Sequence, residues 1–459
     1  MSSNISALAL LGGFRLWDAC ERQIAKNNAR RYKEYGRVWD ESACKFNPSD
    51  VSIVVPTVDW DSGFENRICL WLANDPKEII IVTTTCAAAK ARAVVESDLV
   101  QAKLTSGTSH PTIQVITVQR ANKREQLCHG INRSTGKIVA LVDDDAIWRD
   151  FGVTHDKPHR SNTLLYLLAP FNNKSGHDIG LVGGPIVSYV PEERRDGKVI
   201  TAWEVAALRS RQRRGAASAA AFMADGGINF TMSGLTMLLR AEILKDPFFQ
   251  YGFMEETFHG QRLNSGDDAF ITRWVLFAQH RAYPSGTNRP ELLPQYQIGL
   301  QLAEGATVET TIKADNNYVS QVKRWTRTGL QNRLTCLFYE PGFWRMYRSR
   351  PYMARKMVES ILNPLLTIIR WIVLWKTFIA YPILTCLLIA YDLCGWYLSL
   401  HDFVAKYPYT RRKIWAAMIG DHLSLVTDLY SWLTLGTEDW STRASTNNQP
   451  SVLKTEKSQ

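Results

Sequence analysis

Between residues 51 and 142, short apolar runs alternate with amphipathic stretches. The run at 51–56 (VSIVVP) reads as a buried strand stopped by proline, and the runs at 78–83 (EIIIVT), 113–118 and 137–142 read as three further strands. The stretches at 67–73, 90–104 and 123–131 carry helical spacing. Strands alternating with helices predict a parallel, doubly wound α/β sheet. In such sheets the ligand site lies at the carboxyl ends of the strands. Asp59 and the triplet Asp143-Asp144-Asp145 both follow predicted strand ends, so they are expected to converge there.

The flanking regions read differently. Residues 1–50 form a charged, helical lead-in. Its apolar part, 5–16, is too short to span a bilayer and lacks a basic leader, so it reads as a surface-lying helix with Arg15 and Arg22 on its polar side. The middle, 181–330, is mixed. Gly183-Gly184, Gly226-Gly227 and Gly234 predict close backbone approaches around a cleft, and 216–221 is a helix or a mobile segment. From 361 onward come three apolar stretches, 361–381, 382–400 and 414–435, each near the ~20 residues of a spanning helix. The alternative for each is an amphipathic or buried helix of a soluble domain. Arg370, Lys376, Asp392, Asp421 and Asp428 interrupt these stretches, and charges in such places face a cavity or another protein group. The expected division is thus a lead-in at 1–50, a domain at 51–335, an interfacial segment at 336–360, a membrane region at 361–435 and a polar, disordered tail at 436–459.

Composition adds two points. Fifteen Trp and seventeen Tyr, bunched toward the C-terminal third, suit membrane interfaces and sugar-stacking platforms. The net charge of +10 admits nucleic acid, anionic lipid or phosphorylated ligands, but much of the excess sits at 345–356 and 411–413, beside apolar segments. Positive-inside anchoring accounts for those runs, and no zinc-finger or RNA-binding signature is present, so nucleic acid is not an expected partner. The eight cysteines contain no CxxC pair and read as reduced, cytosol-facing thiols.

Three polar clusters carry candidate chemistry. Asp143, Asp144 and Asp145 offer hard oxygen ligands to a divalent cation, or else form a solvated acidic turn or helix cap. Asp267 and Asp268 follow Gly266 and open a helix; one can cap it while the other accepts a proton from an attacking hydroxyl. Gln321, Arg324 and Trp325, at i, i+3 and i+4, share a helical face that supplies a planar cationic fork and an aromatic plate, or else anchors a membrane-interface helix. Lys123 and Arg124 could reach phosphates or be surface charge. His155 and His159 have metal-ligand spacing without a third ligand, and read as surface residues.

The order of the clusters is more specific than any one of them. Asp143-Asp144-Asp145, then Gly266-Asp267-Asp268, then Gln321-x-x-Arg324-Trp325, ahead of an apolar tail, resembles the membrane-bound family 2 glycosyltransferases. That group contains the hyaluronan, cellulose and chitin synthases. The likeness is greatest to a fungal branch similar to capsule polysaccharide synthases and type 3 hyaluronan synthases, and it covers residues 51–443. It implies a GT-A fold, meaning a Rossmann-like mixed sheet with helices on both faces, followed by C-terminal transmembrane or interfacial helices.

By the same resemblance, Pro56, Thr57 and Asp59 match the first nucleotide loop, and Lys123 and Arg124 an element near the nucleotide. Asp143, Asp144 and Asp145 match the D-x-D region, with Asp143 and Asp144 toward the nucleotide sugar and Asp145 toward the metal. Ser233, Gly234 and Asp267 fall beside the acceptor, Asp268 at the general base, Gln321 and Trp325 at the acceptor, and Arg324 at the diphosphate. Residues 440–443 loosely match a W-G-T-R element. The implied activity is inverting transfer from a UDP-sugar to a growing glycan, with Mg²⁺ or Mn²⁺. The implied place is a membrane, as a multi-pass protein of the plasma membrane with a cytosolic catalytic domain. Transfer of a single sugar to a lipid or protein, or an inactive nucleotide-binding membrane scaffold, are the rival readings. The chain departs from the family at Thr83-Thr84-Thr85, where many members carry a uracil-contacting Asp, at Asp267 for Glu, and at Ser441 for Gly. The N-terminal spanning helices of many synthases are absent on this reading.

Overall fold

Strand β1 (Val51–Pro56) shows how the apolar runs are used, because its side chains alternate between two cores. Val54 packs with Leu127, Ile131 and Phe270 on one face, while Ile53 and Val55 pack with Ile68, Trp71 and Leu168 on the other. A strand covered on both faces must be apolar throughout, which is why VSIVVP is a run and not an alternation. The computed structural model describes residues 2–36, 44–106, 110–149, 162–173, 179–212, 214–228, 231–277 and 296–436.

The other strands are β2 (Glu78–Thr84), β3 (Thr112–Val118), β4 (Ile138–Val142), β5 (Ala146–Trp148), β6 (Ile179–Gly183), β7 (Ile186–Tyr189), β8 (Thr236–Arg240), β9 (Thr257–Phe258), β10 (Gln261–Arg262), β11 (Gln297–Leu300) and β12 (Val308–Thr311). Seven form the main sheet, in the order β11-β6-β8-β4-β1-β2-β3. β4, β1, β2 and β3 run parallel, as predicted, and β6 and β11 pair parallel to each other. β8 lies antiparallel between β4 and β6, so the sheet is mixed and not wholly parallel. Apolar pattern marks a buried strand but carries no direction, and β8 takes its direction from tertiary pairing. A small sheet of β5-β12-β7 covers the carboxyl end of β4, and β9 and β10 make a short ribbon. This is the GT-A architecture expected above.

The helices follow the sequence with local changes. The predicted helix at 90–104 is two helices, Ala88–Val95 and Asp98–Ser106. Helix Lys123–Arg133 begins where Asn122 caps it, accepting from the amides of Arg124 at 2.9 Å and Glu125 at 3.2 Å. Residues 216–221 lie inside helix Arg214–Asp225, which settles that choice.

Among the described residues, two helices beyond helix Asn317–Phe338 are long and apolar enough to cross a membrane, Pro351–Ala380 and Pro382–Lys406. Their outward side chains are large and exposed, among them Trp371, Trp375, Ile383 and Leu387. The third expected span is instead a 17-residue helix, Ala417–Leu433. It packs on Asn317–Phe338 and on Ala202–Gln212, and Arg209 grips its Asp421 at 3.0 Å. Its apolar stripe is therefore partly spent on the α/β domain. The lead-in begins with one long helix, Ser2–Arg31, which lies against Arg214–Asp225 and Pro351–Ala380.

Candidate active site

The carboxyl ends of β1 and β4 meet at a buried hydrogen bond. Thr57 Oγ1 donates to Asp144 Oδ2 at 2.6 Å, and Gln126 holds the Thr57 carbonyl at 2.9 Å from helix Lys123–Arg133. Asp144 is only 4% exposed. It straps the two strand ends together. Pro56 closes β1, and Asp59 stands exposed on the loop that follows.

Asp143 and Asp145 point elsewhere. Asp143 Oδ1 lies 2.8 Å from Lys123 Nζ, and the same ammonium lies 2.9 Å from Asp267 Oδ2. One lysine thus joins the acidic turn after β4 to the acidic start of helix Asp267–Phe277. Asp145 Oδ2 accepts from Thr310 Oγ1 of β12 at 2.9 Å. Sequence order could not show that these clusters share one end of the sheet.

Asp268, at the head of the same helix, is fixed by two amides. Ala269 N donates to Oδ1 at 2.8 Å and Gly234 N to Oδ2 at 3.3 Å. Gly234 is glycine for a local reason, since a Cβ there would stand 3.1 Å from Asp268 Cβ. Gly266, with φ +77°, supplies the left-handed turn that aims both aspartates. Ser233, beside Gly234, is half-buried on the loop leading to β8.

The electrostatics separate the two neighbours. Burial, and then the Asp267 charge, push the Asp268 carboxyl up to about 6. Burial also acts on Asp267, but Lys123 outweighs it and holds that carboxyl below the usual range. Asp143 is raised, by burial first; Lys123 opposes this, while the Asp145 and Asp267 charges add to it. A single ammonium between two carboxylates leaves the site net negative, a field that favours a cation.

Arg124 departs from its expected place at the nucleotide. It is 2% exposed, and its guanidinium binds Glu256 and the Phe253 carbonyl at 2.6 Å and the Ser265 carbonyl at 3.0 Å. Glu256 is shared with Arg273, which also bonds Asn332 at 2.7 Å. This buried knot ties helices Lys123–Arg133, Asp267–Phe277 and Asn317–Phe338 together behind the cleft.

Gln321, Arg324 and Trp325 stand half-buried on helix Asn317–Phe338. One turn further on, Thr328 touches the Gly266 turn, with its hydroxyl 3.4 Å from Ser265 Oγ. That helical face therefore abuts the start of the Asp267 helix. The Trp325 ring is covered by the Arg211 guanidinium, 5.2 Å from the ring centroid.

Arg211 was not singled out from the sequence. Its Nη1 is buried with no hydrogen-bond partner among the described residues. Burial and the neighbouring Arg214 push it down to about 10, and the Asp145 charge partly offsets this. A cation held in that state accommodates an anion readily. The cue available beforehand was the basic density of RSRQRR at 209–214.

Among the described residues, no three His, Cys, Asp or Glu side chains group closely enough to hold a metal. A cation here would need Asp145 and the oxygens of a bound diphosphate, the donor set that suits Mg²⁺-like ions. The residues present fit such a shared site. His155, His159 and residues 440–443 lie outside the described residues.

Comparison with known proteins gives likenesses of three kinds, to a family, to individual relatives and to a solved structure. The signature of the family described as "Glycosyltransferase like family 2" matches residues 48–328. A protein named NDP-glycosyltransferase ltbB, from Aspergillus luteorubrus, is 31% identical over 438 residues, which is 94% of this chain and 97% of that one. A "Type 2 glycosyltransferase" of Zymoseptoria tritici is 30% identical over 74% of this chain, and the match spans 60% of that relative's own length. Among solved structures, a mannosyltransferase from Pyrobaculum calidifontis, in complex with GDP-mannose and Mn²⁺, superposes with a TM-score of 0.56 over 96% of this chain and 99% of that one. At 14% identity that likeness concerns the fold alone.

Proposed function

This chain belongs to the family 2 glycosyltransferases, and on that premise we propose that it is an inverting, metal-dependent polysaccharide synthase using a UDP-sugar at a membrane. The observation that carries the reading is the Lys123 bridge. It sets Asp268, through its neighbour Asp267, at the same strand ends as Asp143 and Asp145.

The chemistry follows from the placement. Asp268, with its carboxyl raised, takes the proton of the acceptor hydroxyl. That oxygen bonds to the anomeric carbon as the bond from this carbon to the diphosphate breaks, with the electron pair leaving on the phosphate oxygen. Mg²⁺ or Mn²⁺, bound by Asp145 and the diphosphate, would stabilise the departing charge. Arg211 and Arg324 offer planar forks to phosphate oxygens, and the Thr57 loop with Asp59 and Asp143 borders the nucleotide sugar. Ser233, Gly234, Gln321 and Trp325 border the acceptor, with Trp325 as a plate for a sugar ring. The apolar hairpin of Pro351–Ala380 and Pro382–Lys406 supports a multi-pass membrane protein with the α/β domain on the cytosolic side, where nucleotide sugars and the basic 406–413 loop would lie. Its size also favours a rival, transfer of one sugar to a lipid or protein, because a hairpin encloses little of a polymer.

The test is nucleoside diphosphate release by the full-length protein in nanodiscs with UDP-glucose, UDP-GlcNAc or GDP-mannose, in Mn²⁺, Mg²⁺ or EDTA, with the product sized. Metal-dependent release from a UDP-sugar with a lengthening product is expected. A single-sugar product moves the reading to the rival. UDP binding without turnover would leave a scaffold.

A further inference from the structure

The last turn of helix Ala202–Gln212 carries Arg209, Ser210 and Arg211, and each meets a different neighbour. Ser210 Oγ lies 3.3 Å from the Tyr318 hydroxyl, in the first turn of helix Asn317–Phe338. The Arg211 guanidinium covers Trp325 of that same helix. Arg209 turns away. Residues two apart on a helix are separated by about 200° around its axis, so Arg209 and Arg211 leave it on opposite sides.

Arg209 is buried, and it directs its donors to the two C-terminal helices. Nε donates to Asp421 Oδ1 at 3.0 Å, on helix Ala417–Leu433. Nη1 donates to the Ser399 carbonyl at 3.0 Å and Nη2 to the Ser399 hydroxyl at 2.7 Å, both on the apolar helix Pro382–Lys406. Asp421 in turn accepts from Trp396 Nε1 of that apolar helix at 2.9 Å. Nη1 also reaches Gln212 Oε1 at 3.2 Å, which ties the clamp to the end of its own helix. Packing reinforces the joint, because a Cβ at Gly420 would collide with the Ala206 carbonyl. A planar guanidinium can hold two helices at once, and a buried one with several acceptors is costly to displace. Arg211 differs, since its Nη1 is buried without a hydrogen-bond partner among the described residues. The place of that nitrogen therefore depends on the backbone that carries it.

We propose that Arg209 is a positioning residue for the donor. By clamping the last turn of helix Ala202–Gln212 to the apolar hairpin and to helix Ala417–Leu433, it sets Arg211 over Trp325, where the diphosphate is bound. This rests on the role given to Arg211 above. The hairpin then takes part in donor binding without touching the donor. A shift of Trp396 or Ser399 moves the Arg209 guanidinium, the helix end that Arg209 holds, and with it the fork of Arg211.

The test is a double-mutant cycle on the full-length protein in nanodiscs, read as UDP affinity by calorimetric titration with Mn²⁺ and as donor KM and kcat by nucleoside diphosphate release. Arg209→Lys keeps a charge opposite Asp421, so the fold should survive, but one ammonium cannot hold both helices. It should weaken UDP binding ~threefold to tenfold and raise donor KM to match, with kcat little changed. In an Arg211→Ala background the same substitution should alter UDP affinity by less than ~twofold, because the group it positions is gone. Ser399→Ala, made on the hairpin, should act in the same direction and be as silent in that background; it carries the cycle alone if Arg209→Lys does not fold. A lowered Tm with wild-type UDP affinity in Arg209→Lys would make Arg209 a structural joint and overturn the proposal, while leaving Arg211 at the diphosphate. Losses that add in the double variant would overturn it as well. Wild-type UDP affinity in Arg211→Ala would instead overturn the diphosphate role of Arg211, and the proposal with it.

Discussion

The Lys123 ammonium lies 2.9 Å from Asp267 Oδ2, joining the first turn of helix Lys123–Arg133 to the first turn of helix Asp267–Phe277. Both side chains are mostly buried, so removing one partner leaves a charge with little solvent. Lys123→Met is expected to destabilise by about 3 kcal/mol. It also releases two carboxylates, Asp143 and Asp267, to repel each other. Thermal unfolding of the purified variant reads the stability. A Tm within a degree of wild type would show that the bridge is not a structural joint.

As the proposed base, Asp268 is expected to set the acidic limb of the reaction. Its carboxyl sits at about 6, and a protonated base cannot accept a second proton. Turnover should be flat above that value and fall ~tenfold per pH unit well below it. Asp268→Asn should lose at least ~100-fold in turnover while UDP still binds. An acidic limb near the ordinary carboxylate value would remove Asp268 from the role.

The same shift has a consequence for stability. The folded chain holds the Asp268 proton more tightly than the unfolded chain does, so this group favours folding below the ordinary value of 3.8. That contribution is lost as pH rises through about 6. Asp268→Asn, which cannot ionise, should therefore be more stable than wild type at pH ~8, with the gain shrinking toward pH ~4. Denaturant midpoints at the two pH values check the sign.

Gly234→Ala places a Cβ 3.1 Å from Asp268 Cβ and disturbs the amide that holds Oδ2. A displaced base lowers the rate more than binding, by about tenfold for a shift of a few tenths of an ångström. Steady-state kinetics should show kcat falling with the donor KM little changed. A change confined to KM would place Gly234 at the donor.

Arg211 and Arg124 should behave as opposites. Arg211→Ala should weaken UDP binding about tenfold to a hundredfold, the worth of one charge-assisted contact. Arg124→Met should instead unfold the buried Glu256 knot, by about 3–5 kcal/mol, while the folded fraction keeps its UDP affinity. Calorimetric titration with UDP beside thermal unfolding separates the two, and a reversed pattern would return Arg124 to the nucleotide site.

The parallel strands β1, β2 and β4 were legible in the sequence because burial on both faces demands continuous apolar runs, and a run is a local property. The carboxylates after β1 and β4 were legible for the same reason, since a strand end locates the residue that follows it. The chemical class was legible in the order of Asp145, Asp268 and Trp325. Contact was not. That Asp144 is a strap, that Arg124 belongs to a buried knot and that Arg211 covers Trp325 all depend on residues far apart in the chain. The antiparallel insertion of β8 and the pairing of Arg15 and Asp18 with Asp392 and Arg370 are of the same kind. Periodicity reports which side of an element is apolar. The partner that a charge or a strand edge meets is chosen only when the whole chain closes, because that choice minimises unpaired charge and unpaired backbone over the entire fold.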